Sequence, residues 1–237
     1  MQPSDSEPPV KSVAKSTPRP KPEGRSVPQL TRDSWVAAAR QVLVDSGVHD
    51  VKIDRLARRL KVTRGSFYWH FENHKELLDA LLQDWEVRNY VEIAQVKVRW
   101  ARAEPDLSEV VAIWLGKDPA FPAFDMAVRV WARRSAAVFA TAQRVDEAWI
   151  DLLVQLFVRG GFDATESFVR ARIAYFHQIG YYALAIREDL EDRLRLVPAY
   201  YRALTGKTPG PSLDRVLEEH RQRLNVPAGL RRRAAVR

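Results

Sequence analysis

The chain has 237 residues, 46% of them hydrophobic, no cysteine and a formal net charge of +8, which leaves room for a real core and excludes disulfides and thiolate metal sites. No apolar run approaches the roughly 20 residues that cross a bilayer and the N-terminus lacks an apolar signal core, so a cytoplasmic protein with no membrane partner is expected. The charge is uneven, at +2 over residues 1–30, +4 over 31–75, −3 over 76–206 and +5 over 207–237, a distribution that suits an anionic polymer as partner.

Residues 1–28 are rich in Pro, Ser and Lys and nearly free of large apolar side chains, so a disordered basic arm is expected there. Its Ser12-Val-Ala-Lys15 matches the Ser-x-x-Lys of some acyl-transfer enzymes, but a disordered segment cannot preorganise a nucleophile. A DNA-binding domain is expected over residues 29–75. Thr31 caps a first helix with a stripe of Trp35, Ala38, Ala39, Val42 and Leu43, stopped by Gly47. Ile53, Leu56, Ala57 and Leu60 then form the stripe of a short second helix, with Arg55, Arg58 and Arg59 off it. Lys61-Val62 is a turn of helix-turn-helix length, and the stretch from Val62 to His74 reads as the helix that enters DNA. Thr63 would cap it, and Phe67 and Phe71 would share its inner face. Arg64, Ser66, Tyr68 and His70 would share the outer one, as donors for a guanine edge and for phosphate oxygens.

From Asn73 a helical pattern runs to about Trp100 with no Gly or Pro, a lever between the reader and a second domain over residues 76–206. Further helices are predicted near Leu107–Leu115, around Phe121–Trp131, over Ala136–Arg159 and from Asp163 through Ile186. Another is predicted over Leu190–Leu204, where Pro198 should kink the helix or delay its start. Leu213–Leu224 reads as a short extra helix within a basic C-terminal tail, 207–237. No strand pattern appears, and the fold expected is all-α.

Val62–Phe71, with its Tyr68-Trp69-His70-Phe71 core, the following Asn73 and Lys75-Glu-Leu-Leu-Asp-Ala-Leu-Leu82, resembles the DNA-binding domain of the tetracycline-repressor (TetR) family. Phe124–Ala132, Arg144-Val-Asp146, Gly160-Gly-Phe162 and Ala171-Arg172 resemble its C-terminal domain more diffusely. The resemblance implies a three-helix N-terminal domain joined by a long helix to a helical ligand-binding and dimerisation domain. It implies base contact by Arg64 and close approach of Gly65 to the DNA. Ser66, Tyr68 and His70 would contact phosphate or thymine methyls, with Lys75 on phosphate and Lys52, Lys61, Thr63, Trp69 and His74 beside them. Two departures stand out: Lys61 where the family usually has Gly, and Lys52 where it favours a Thr or Ser cap.

The resemblance also implies a cavity among Trp85, Trp100, Trp114, Phe121, Phe124 and Trp131, with His177 and Tyr181 as polar or aromatic additions. His177, with Gln178, Tyr181 and Tyr182 on an otherwise apolar helix, reads first as a satisfied core or interface histidine and second as a pocket group that orients a ligand. Trp149, Leu152 and Leu156 on one helix and Phe176 and Ile179 on the next are candidates for a four-helix dimer contact. His70 and His74 stand at i, i+4, but no zincin Glu accompanies them, and neither a metal nor a cofactor is expected. No nucleophile elbow or phosphate loop appears, so an enzyme is not expected. The function implied is a homodimeric regulator, most simply a repressor, binding a palindromic double-stranded operator and released by a small, largely apolar effector. The rival is an effector-independent architectural or protein-interaction factor with a filled core, and cavity volume separates the two.

Overall fold

The computed structural model describes residues 30–101, 104–116, 118, 120–186 and 188–225, with side chains to residue 222. The arm over residues 1–28 and the tail from residue 226 onward lie outside the described residues. The described residues form ten α-helices and no strand.

Helix α1 (Arg32–Ser46) opens on a capping box between Thr31 and Ser34 and ends at Gly47, whose φ of 83° favours glycine. A 3-10 turn (Val48–Asp50) leads to α2 (Ile53–Leu60) and α3 (Arg64–Phe67). Asn73 caps α4 (His74–Trp100), accepting from the Glu76 backbone N–H. Its 27 residues span about 40 Å. Leu77, Leu81, Trp85, Ile93, Val96 and Trp100 line its buried side. The lever pattern is therefore one unbroken helix, packed on α1 at its start and on α7 further along.

The second domain adds α5 (Leu107–Trp114), α6 (Phe121–Ala132), α7 (Ala136–Arg159) and α8 (Ala164–Ala183), then α9 (Leu190–Thr205) and α10 (Pro211–Asn225). Asp106, Ser135, Asp163 and Asp189 cap α5, α7, α8 and α9 through their side chains. The most extensive packing is between α7 and α8, which turn back on one another through Gly160-Gly161. One boundary differs from expectation. Helix α8 stops at Ala183, and Ala185 takes a φ of 47°, leaving Leu184 and Ile186 exposed. No Gly or Pro marks that end, which is why periodicity carried the helix onward. Helix α9 runs through Pro198 from its Asp189 cap, giving up one backbone bond to the Leu194 carbonyl. Within the segment 207–237, α10 is an ordered helix packed on α5 and α9.

A polar network sits inside the second domain. The Trp85 indole N–H donates to Asp125 at 2.9 Å, and Arg129 Nε donates to the same carboxylate at 2.8 Å. The Arg129 guanidinium grips Asp146 at 2.8 and 3.2 Å, and the Tyr175 hydroxyl donates to Asp146 at 2.7 Å. Side chains from α4, α6, α7 and α8 are thus joined around one arginine.

Candidate nucleic-acid interface

The backbone of the reader is set by residue 61. Lys61 sits at φ 58°, ψ 41°, its N–H bonds Arg58 O, and the Val62 N–H bonds Ala57 O at 3.0 Å. This is the six-to-one bond of a Schellman cap, made here without glycine. The turn turns the chain into α3, which is only four residues long. The stretch read as a helix from Val62 to His74 is one helical turn followed by tighter turns, with His70 N–H on Phe67 O at 2.9 Å and Phe71 N–H on the same oxygen at 3.1 Å. Aromatic packing fixes it. Phe67 and Phe71 are fully buried and stack at 5.3 Å, Trp35 of α1 meets Phe67 edge-on at 5.3 Å, and the Arg32 guanidinium covers Phe71.

Burying those rings pushes their neighbours out. Trp69 is 87% exposed and Tyr68 53%, the reverse of what large aromatics do in a free-standing surface. Arg64, Gly65 and Lys61 are exposed beside them, Thr63 with them, and Ser66 and His70 are half-exposed. Arg64 lies 3.7 Å from Asp54. A hydrogen bond to Tyr68, then Asp54, holds its pKa above the ordinary guanidinium value. At Gly65 an added Cβ would meet only Thr63 Oγ1 at 3.7 Å, an ordinary contact. Among the described residues nothing requires glycine there.

Lys75 is exposed and paired with Asp79 at 2.7 Å. Lys52 begins α2 without a side-chain cap bond. His74 Nε2 reaches the Val51 carbonyl, tying the start of α4 to the strand of chain before α2. That nitrogen is used in the internal bond, and the ring is half-buried like that of His70. Sequence reading passed over Arg58, exposed on α2. Among the described residues it has no carboxylate within 4.0 Å, whereas Arg55 and Arg59 are paired with Asp50 and Asp45. Its position off the apolar stripe was the available signal.

The aromatic residues proposed for a cavity separate into groups. Trp85, Phe124 and Trp100 are core side chains, filled around by neighbours. Trp131 faces an open groove of about 600 Å³ between α6 and the end of α1, where Arg134 meets His49 at 3.2 Å. Trp114, His177 and Tyr181 do come together, around an outer cavity of about 50 Å³ between α5, α8 and α9. Trp114 and Phe121 also border an inner cavity of about 20 Å³ beside Asp125 and Tyr175. Gln178 and Trp114 line both. In the outer cavity the His177 ring sits 4.4 Å from Tyr200 and 5.1 Å from Tyr181. Burial, and then the nearby Arg193, push its pKa below the usual imidazole value.

Of the residues proposed for a dimer contact, Trp149, Leu152 and Leu156 are buried within the single chain, and Trp149 donates its indole N–H to Asn89 at 3.0 Å. Ile179 is half-buried against the inner cavity. Phe176 is 50% exposed and shares an apolar face of α8 with Phe168, Val169 and Ile173. Both α7 and α8 carry more than one apolar stripe, and only packing decides which stripe faces inward.

A family model described as bacterial regulatory proteins, tetR family, matches residues 36–81. The transcriptional regulator SrpR of Pseudomonas putida is 46% identical over 52 residues, 22% of this chain and 24% of that protein. The class C tetracycline repressor of Escherichia coli is 27% identical over 150 residues, 62% of this chain and 63% of the repressor. The matches to SrpR and to the uncharacterised regulator TtgW of P. putida thus span only about a quarter to two fifths of those relatives' length. Among solved structures, the fatty acid degradation regulator FadR of Bacillus halodurans superposes with a TM-score of 0.57 at 18% identity, covering 78% of this chain and 97% of that one. GusR of Salmonella enterica superposes at 0.55 and 18% identity, over 82% and 98%. These two likenesses are of fold.

Proposed function

We propose that this chain, a tetR-family protein by its N-terminal module, is a DNA-binding transcriptional regulator. The observation that carries the reading is the exposed group at Arg64, Gly65, Tyr68 and Trp69: exposed aromatics and a cation around a glycine that nothing among the described residues requires. A backbone that approaches DNA closely needs that space, and Arg64 beside it has the fork that reads a guanine edge. The reader would act as a pair. The exposed face of α8 with Phe168, Val169, Ile173 and Phe176, whose two phenylalanine rings carry the Arg172 guanidinium over them, suits a second copy of this chain. A homodimer presents two α3 segments to the half-sites of a palindromic operator about 34–36 Å apart.

The finer reading is repression relieved by a small, largely apolar effector in the second domain. It is supported by the apolar outer cavity with its few convergent polar groups and by α4, which continues from the reader into that domain. The rival reading, an effector-independent architectural or protein-interaction factor, is favoured by one observation: at about 50 and 20 Å³ the cavities are far below the roughly 300–1,000 Å³ of a drug-sized site.

The test is binding of the purified protein to DNA flanking its own gene against random DNA of equal length, over a salt series. A strong preference for the flanking DNA, lost in Gly65→Ala and relaxed at one base position in Arg64→Ala at a cost of about 1–3 kcal/mol, is the expected result. Gly65→Ala that melts normally and binds as tightly as the parent would remove α3 from the interface. Equal, steeply salt-dependent binding to both DNAs would favour the architectural factor.

A further inference from the structure

The outer cavity has a chemistry of its own, carried by Arg193 and Gln178. Among the described residues, every other arginine that is not exposed has a carboxylate within 4.0 Å: Arg40, Arg55, Arg88, Arg129, Arg170 and Arg221. Arg193 is half-buried and has none. It lies over the Tyr181 ring at 4.6 Å and donates to the Gln178 side-chain oxygen at 3.3 Å. Gln178 is only 3% exposed. Its amide nitrogen carries two N–H groups; one leans on the Tyr182 hydroxyl, and neither meets a partner at full hydrogen-bonding geometry. A guanidinium with no carboxylate within 4.0 Å and an amide with an N–H to spare therefore meet beside a cavity whose walls include Val111, Trp114, Val197 and Leu204 along with His177 and three tyrosines.

We infer that this cavity takes the carboxylate end of an apolar monocarboxylic acid, one oxygen on Arg193 and the other on Gln178. A carboxylate supplies a negative charge and two acceptor oxygens to this pair; an amide head supplies one acceptor oxygen and no charge, and an ammonium supplies neither. Glu188 and Asp106 carry charge near the cavity, but neither carboxylate comes within 4.0 Å of Arg193, and Glu92 stands with Gln178 and Tyr182 at the inner cavity. The Glu188 carboxylate accepts from the Tyr181 hydroxyl at 2.8 Å, Asp106 accepts from Tyr201 at 3.2 Å, and His177 lies between the Tyr181 and Tyr200 rings. The assignment rests on the effector reading of the second domain and names the ligand class for it.

Size fits the same ligand. About 50 Å³ holds the head and first carbons of such an acid, the room of about three or four waters. A longer tail needs one of the three walls to shift, and α9 gives up one backbone bond where it runs through Pro198. Gln178 also borders the inner cavity beside Asp125 and Tyr175, so a ligand that draws its side chain outward acts on the arginine network that reaches α4 through Trp85.

The experiment is calorimetric titration of the full chain with phenylacetate, 3-phenylpropanoate and 4-phenylbutanoate, and with 3-phenylpropanamide and 3-phenylpropylamine as matched neutral and cationic probes. Expected is saturable binding of at least one acid, tenfold or more weaker for the amide and the amine. In Arg193→Met and in Gln178→Leu the acid should bind tenfold or more weaker, while both variants melt near the parent and still bind DNA. Amide or amine binding equal to the acid, acid binding unchanged in Arg193→Met, or no binding of any acid would each overturn the carboxylate assignment. The effector reading fails separately: it falls if a chemically mixed library, added to the protein–DNA complex, releases nothing, and it survives if a compound of another class releases the DNA.

Discussion

Lys61 does two things at one position. A non-glycine side chain in the left-handed region costs about 1 kcal/mol, and Lys61 sits there to close the Schellman turn that aims α3. Lys61→Gly should raise the melting temperature by about 1–3 °C. If the ammonium serves a phosphate, the same change should weaken DNA binding alike on all sequences and lower the salt slope by about one. A melting temperature that falls would mean the lysine stem packs against the domain. His177 gives a pH-dependent counterpart. Its folded pKa lies below the ordinary 6.5, so as pH falls through 6.5 the unfolded chain takes up a proton that the folded pocket refuses. Stability is therefore lost toward acid and is unaffected well above that pH. His177→Gln should flatten the fall in melting temperature between about pH 7 and pH 5, and a slope equal to the parent's would mean that the ring is freely hydrated.

At the scale of elements, α7 and α8 look alike in sequence and divide the labour in the fold. Leu152 of α7 is fully buried, so Leu152→Ala should cost about 2–5 kcal/mol in a denaturant titration. Ile173 of α8 is 54% exposed, so Ile173→Glu should leave the helical spectrum intact while sedimentation reports a monomer with weakened operator binding. A variant that stays dimeric would move the contact off this face. Helix α4 shows the complementary case. Its stripe, its Asn73 cap and its freedom from Gly and Pro agree at every level, and it forms as one helix over its whole expected length.

For the whole molecule, the decisive feature is the arginine at the centre of the second domain. Desolvation alone would lower the Arg129 pKa, yet Asp125 and Asp146 hold it well above the ordinary value, while burial raises that of Asp125. The pair works because both carboxylates and the Tyr175 hydroxyl are at hydrogen-bonding distance. Arg129→Met should cost about 3–5 kcal/mol by leaving the buried Asp125 carboxylate without its cation. It should also change operator affinity if α4 is positioned through Trp85. Operator affinity unchanged despite that loss would mean the network is scaffold only. Within the first domain, the same logic of shared burial joins Trp35, Phe67 and Phe71 across α1 and α3.

The all-α class, the helix order, the Thr31 cap and the reader motif were legible in the sequence because each depends on neighbours within a turn or two: an apolar period of 3.6, a Thr before it, a Gly after it. Thr63 stands at the N-cap of α3 without a side-chain cap bond. The exposed set at Arg64, Gly65, Tyr68 and Trp69 was legible for the same reason, as residue types with little to do in a core. Tertiary packing decided what sequence periodicity leaves open. It buried Trp149, Leu152 and Leu156 while exposing Phe168, Ile173 and Phe176, turned His74 to the Val51 carbonyl, and filled the space around Trp85 and Phe124. It also brought Arg193 to Gln178 from separate helices. Which apolar stripe faces inward, and which cation lacks a partner, depend on contacts between residues far apart in the chain, and no local pattern encodes them.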